Sequence, residues 1–335
     1  MRRGAQVLAM LLLVALGGAS ASGLTIKLGS LAPAGSPWEL ALKRMAAEWE
    51  RISGGSVSVK IYAGGVAGDE PDMVRKMRIG TLNAALITVS GLQGIFNGVK
   101  TLSYPLLVRN DDELAYVLDR MKPFFDTELT KRGFKPIMWS PGGWVYLFSR
   151  WPIVTPEDLR RQKLWVWSGD PDEIQAYQSA GFQTITLAST DLMTSLQGGM
   201  VDVLATSPLV AASSQWFGIA RNMCTLKLGP LWGAAVVSTR SWAAVPADLQ
   251  PRLIEAAQKI ADSLAPDLIK SDATAIDVMT KYGLKINEVT PQAEAQWAAV
   301  LQKTFSGLVG KMYDKESYDM ATKYLNEYLA THPRR

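Results

Sequence analysis

The chain has very little cysteine or histidine: Cys224 and His332 are the only examples in 335 residues. A lone cysteine excludes an internal disulfide, and this pair cannot assemble a His/Cys zinc site. A Ser–His or Cys–His nucleophile would have to borrow its base from His332, within the last four residues. Catalysis is therefore disfavoured by inventory, and no metal or cofactor is called for. Concentrated charge is lacking too. With 35 Lys and Arg against 31 Asp and Glu, and no Lys/Arg-rich run, the chain has no nucleic-acid signature.

A membrane span is also missing from the N-terminal apolar run, because Val7 to Leu16 falls short of the ~20 residues that a spanning helix needs. What the start does hold is a leader pattern. Arg2 and Arg3 precede the run, and Ala19-Ser20-Ala21 supplies small residues for cleavage, so residues 1–21 are expected to be a signal peptide. Removal would leave 314 residues of an exported protein, enough for two packed domains.

Leu24 to Leu28 alternates apolar and polar residues as a half-buried strand does. Ser36-Pro37 then reads as an N-cap with proline at the first helical position, opening a helix to about Ile52. Strand Ser56 to Tyr62, helix Pro71 to Gly80 and strand Ala84 to Val89 follow. This β-α-β-α-β order predicts an α/β fold, a parallel sheet with helices on both faces. Ligands of such sheets meet the loops beyond the strand C-termini, here Ala32–Trp38, Ala63–Asp69 and Ser90–Ile95.

Further on, a helix is expected from Asp111 to Met121, strands at Lys135–Ser140 and Trp144–Ser149, then Leu164–Trp167, Thr184–Leu187 and Ala234–Thr239. From Pro246 to Tyr282 apolar residues recur at helical spacing, interrupted only by Pro266. That stretch reads as one kinked helix or as two helices meeting at Pro266. Ala293 to Leu329 is helical and amphipathic.

Between Thr155 and Pro208 the spaced residues Pro156, Asp158, Leu159, Lys163, Val166, Leu196, Gln197, Gly199, Val201 and Asp202 form a motif set. It resembles the central segment of the solute-binding proteins of TRAP transporters, the DctP family; Gly65–Glu70 and Gly80–Asn83 add to the likeness. The resemblance implies a two-domain periplasmic binding protein fold with a long helix spanning both domains. Residues 22–143 and 233–265 are assigned to domain I, and 144–232 and 266–335 to domain II. It also implies a periplasmic, non-enzymatic protein that hands a small-molecule ligand to TRAP membrane permease subunits. Some family members that lack the usual arginine associate with a periplasmic helical-repeat protein, a second partner to consider.

The family holds a substrate carboxylate with an arginine, whose guanidinium fork matches it with two charge-assisted hydrogen bonds. Trp165 occupies that position here. A second family arginine is replaced by Val145 after Gly143-Trp144, and a family asparagine falls at Thr206 or Ser207. All three departures remove charge or amide. The expected ligand-binding set is Trp165, Trp144, Val145, Trp167, Thr206, Ser207, Trp38 and Trp232, with an uncharged, apolar or aromatic ligand among these rings. Trp139, Tyr146 and Phe148 lie near in sequence, and some of these aromatics would be core. A carboxylate held by a non-standard cation is the alternative; Arg75 and Arg78 are candidates for it, expected on solvated helix surface.

Overall fold

The computed structural model describes residues 23–168 and 170–334, except the side chain of residue 265. The expected signal segment, 1–21, lies outside the described residues. Strands β1 (Leu24–Ser30), β2 (Val57–Tyr62) and β3 (Ala84–Thr88) run parallel, with β1 in the middle. Helix Pro37–Ser53 connects the first two. Ser36 Oγ accepts from the Glu39 N–H, Pro37 sets the first turn, and Gly54 ends the helix in the left-handed region at φ 60°. Its buried face carries Leu42, Met45 and Trp49, each contributing roughly 1.5–3 kcal/mol by leaving water.

Strand β4 (Phe134–Ser149) differs from expectation. Lys135–Ser140 and Trp144–Ser149 are one 16-residue strand, because Gly143 at φ 90° absorbs the irregularity at Pro141/Gly143 without ending it. The second set comprises β5 (Lys163–Trp167), β6 (Gln183–Leu187), β7 (Val203–Thr206) and β8 (Asn222–Cys224), followed by β9 (Gly229–Ser238) and β10 (Lys285–Asn287). β9 pairs antiparallel with β3 and with most of β4, while the far end of β4 pairs antiparallel with β7 and β8. The order β2-β1-β3-β9-β4-β7-β5-β6 thus has a parallel group at each end and two long strands crossing between them.

Helix Gln250–Lys281 is single and contains Pro266, so the two-helix alternative does not apply. Leu253, Ala257 and Ala261 pack in the core of the first group, Leu264 and Leu268 against Trp38, and Ala275 and Met279 in the core of the second. The C-terminal assignment needs correction. Helix Pro291–Phe305 stays with the second group, but helix Lys315–Thr331 returns to the first, where Ala321 and Leu325 join Val117, Met121 and Phe125 of helix Asp111–Lys131. Its apolar stripe matches that helix, so residues 315–331 do not belong with 266–305.

Candidate ligand cavity

Burial and strand ends converge on a cavity of about 540 Å³. Its wall takes in the C-terminal ends of β1, β3, β5 and β7 through Ser30, Thr88, Trp167 and Thr206. Each of the three loops expected from the topology contributes: Pro33, Gly64 and Gln93 line it. This is where parallel strands open their carboxyl ends to a ligand.

Alternation sorts the expected residues on β4, whereas on β5 both faces reach the wall, Leu164 and Val166 beside the two tryptophans. Trp165 and Trp167 share one face of β5 and both line the cavity, their ring centroids 5.8 Å apart. The Trp165 indole N–H donates to the Leu187 carbonyl at 3.1 Å, so this residue presents its ring rather than a donor. Trp167 donates to Asp69 Oδ2 at 2.6 Å, and Trp38 to the Pro141 carbonyl at 3.0 Å. On β4 the cavity receives Val145 and Leu147. Trp144, one residue away, therefore points to the opposite face, where it is buried and donates to Asp111 Oδ1 at 2.9 Å. The expectation that Trp144 joins Val145 in the wall is corrected by that alternation.

Trp232 lines the cavity and also stacks on Phe125 at 5.8 Å. Its indole N–H is buried and has no partner within the described residues. Thr206 is in the wall, whereas Ser207 is fully buried against Gly143 and outside it. Trp139 is core, donating to Asp126 Oδ1 at 3.0 Å. Arg75 pairs with Asp72, and Arg78 donates to the Gly94 carbonyl; neither lines the cavity.

The motif residues themselves hold the scaffold. Thr155 and Asp158 form a reciprocal capping box with Pro156 in the first turn. Asp202 accepts from the Lys163 N–H at 3.1 Å and faces Arg150 at 3.5 Å, tying β5 to the turn before β7.

Four charged side chains outside the expected ligand-binding set also line the cavity: Glu70, which belongs to the Gly65–Glu70 motif, and Lys100, Asp170 and Glu173. Lys100 and Asp170 form a buried ion pair, and Glu173 Oε2 stands 3.7 Å from the same ammonium. Burial pushes the Asp170 carboxyl up, but Lys100 beside it wins and holds it below the usual range. Burial raises Glu173, with the Asp170 charge adding to the rise against the pull of Lys100. Glu70 is 1% exposed and accepts from the Thr88 N–H and hydroxyl, each at 2.9 Å. Desolvation outweighs those bonds and pushes it up to about 7. A lysine set between apolar neighbours, Val99-Lys100-Thr101-Leu102, was the available signal for the missed cation. Asp170 was legible only as a helix start before Pro171.

A sequence profile of the family described as bacterial extracellular solute-binding protein, family 7, matches residues 28–314. A solute-binding protein of Chromohalobacter salexigens is 23% identical over 287 residues, covering 85% of this chain and 84% of that one. A TRAP periplasmic solute-binding protein from Desulfovibrio salexigens, solved with bound orotic acid, superposes with TM-score 0.84 at 19% identity, covering 92% of this chain and 99% of that one. One from Sulfurospirillum deleyianum, solved with bound succinate, gives 0.82 at 19% identity, covering 90% and 97%.

Proposed function

The chain belongs to the DctP family of bacterial extracellular solute-binding proteins, and from that premise we propose that it captures an uncharged, largely apolar or ring-bearing small molecule. The ligand is taken between the two strand groups in the periplasm and delivered to a TRAP membrane permease. The family consists of binding proteins of transporters, not enzymes. Among the described residues no helix is long and apolar enough to cross a membrane.

One observation carries the ligand class. No arginine lines the cavity among the described residues, and its one lysine is already paired with Asp170. An organic anion buried there would lose its hydration without gaining a free cation, a cost of several kcal/mol. An apolar body against Trp165, Trp167 and Val145 instead gains about 25 cal/mol per Å² removed from water. Closure of two domains about a hinge needs a ligand that binds the closed state better, and walls from both sides supply that difference.

A second reading is supported by Lys100 itself. An organic acid displacing Asp170 from Lys100 would make that lysine the replacement for the arginine, in line with the acids bound by the two solved relatives. Mass spectrometry of organic extracts from the purified protein tests the first reading. Stoichiometric recovery of a neutral, apolar molecule supports it; recovery of a dicarboxylate, or micromolar succinate binding by calorimetry, sinks it.

A further inference from the structure

We propose that Asp170 sets the charge selectivity of the cavity by withholding Lys100 from any anionic ligand. This deepens the reading of an uncharged ligand and rests on it. Lys100 is the sole basic side chain in the wall among the described residues, and its side chain is 7% exposed. It comes from the segment Asn97–Ser103, packed on the first strand group; Asp170 caps helix Pro171–Ser179 in the second. The pair therefore forms across the cavity, from opposite sides.

Asp170 is held in place for this task. One carboxylate oxygen accepts from the Glu173 N–H at 3.0 Å as the helix cap, and the other meets Lys100. Glu173 at 3.7 Å is a second carboxylate for the same ammonium, and Tyr313 closes another side with its ring centroid 6.0 Å from Lys100 Nζ. An incoming carboxylate would have to displace a preorganised acid and then sit beside two like charges. The site rejects anions because its cation is occupied, in addition to lacking the guanidinium expected at Trp165. Exclusion by a placed repulsive group, as well as attraction to the right ligand, is how a binding site separates two ligand classes.

The test compares benzoate with its uncharged counterpart benzamide by calorimetry, in wild type and in variants that free Lys100. Asp170→Asn keeps an oxygen for the helix cap while removing the charge. D170N/E173Q also denies Lys100 its second carboxylate, and Asp170→Ser is a further cap-preserving change should D170N fail to fold. Wild type is expected to favour benzamide. The variants are expected to shift the benzoate-to-benzamide affinity ratio at least tenfold toward benzoate, and adding K100M is expected to abolish the shift. Folded variants with no gain in benzoate affinity, while wild type still favours benzamide, overturn this inference alone. Tight benzoate binding by wild type that is lost in K100M overturns the uncharged-ligand reading with it.

Discussion

Gly143 and Asp272 meet where the crossing strand changes from one strand group to the other. Gly143 holds φ 90°, and a Cβ built there would lie 2.2 Å from Asp272 Oδ2 on the long helix. The other carboxylate oxygen of Asp272 accepts from the Leu209 N–H at 2.9 Å. The carboxylate thus bonds the long helix to the segment after β7 and packs closely against the crossing strand at the same point.

Gly143→Ala is therefore expected to destabilise the fold by at least about 2 kcal/mol, combining left-handed backbone strain with the clash. Urea unfolding should show a lower midpoint. An unchanged midpoint would mean that Asp272 can withdraw without loss.

Much of this arrangement is legible in the chain, and the limits have physical causes. Alternation along Leu164–Trp167 places both tryptophans on one face without any structure, and Ser36-Pro37 announces its helix. The same rule, carried through Gly143-Trp144-Val145, would have separated Trp144 from Val145, but the register relative to the cavity depends on the bulge at Pro141/Gly143. Lys100 and Asp170 lie 70 residues apart, and nothing local to either declares the other. Helix Lys315–Thr331 carries an apolar stripe that fits more than one surface; only the assembled core selects the first group.

Trp165 and Trp144 should separate binding from folding. An indole face covers on the order of 80 Å² of ligand, so Trp165→Ala is expected to weaken ligand retention by about 2 kcal/mol, roughly thirtyfold. Trp144→Ala empties a core position on the opposite face and is expected to cost about 3–5 kcal/mol of stability while sparing ligand retention in the folded fraction. Bound-fraction measurements by native mass spectrometry, set beside denaturation midpoints, check both. Equal effects of the two changes on ligand retention would refute the assignment of faces.

Stability should fall as pH rises through the weakly acidic range. Burial, aided by repulsion from Asp69 and opposed by the Thr88 hydrogen bonds, raises the Glu70 pKa to about 7 from 4.5. The unfolded chain then ionises first, so the folded state binds more protons between pH 4.5 and 7 and loses stability as pH climbs across that window. For this buried group the loss amounts to about 3 kcal/mol, complete above pH 7. Asp272, raised to about 6 from 3.8 chiefly by burial, acts in the same direction between those values. Urea midpoints measured from pH 4.5 to 8 should decline in wild type and decline less in Glu70→Gln, where Asp272 alone still acts below about pH 6; a rising curve in wild type would contradict the burial of Glu70.

Asp69 ties the two sides of the cavity together. Its Oδ2 accepts from the Trp167 indole at 2.6 Å and the Ser189 N–H at 3.1 Å; its Oδ1 accepts from the Ser189 hydroxyl at 2.8 Å and caps Glu70 at 2.9 Å. All four donors are satisfied by two carboxylate oxygens, so an amide cannot replace it. Asparagine keeps one oxygen for the helix cap but turns an NH2 toward the donors on the second strand group. Hydrogen bonds to a charged acceptor contribute about 1.5–3 kcal/mol each, so losing two of them is enough to shift a closed arrangement toward an open one. Asp69→Asn is therefore expected to enlarge the radius of gyration in small-angle X-ray scattering with little change in helix content. Ser189→Ala, which removes a single hydroxyl, should produce a smaller change of the same sign. Scattering curves identical to wild type for both variants would show that closure rests on the Lys100–Asp170 pair and the apolar walls instead.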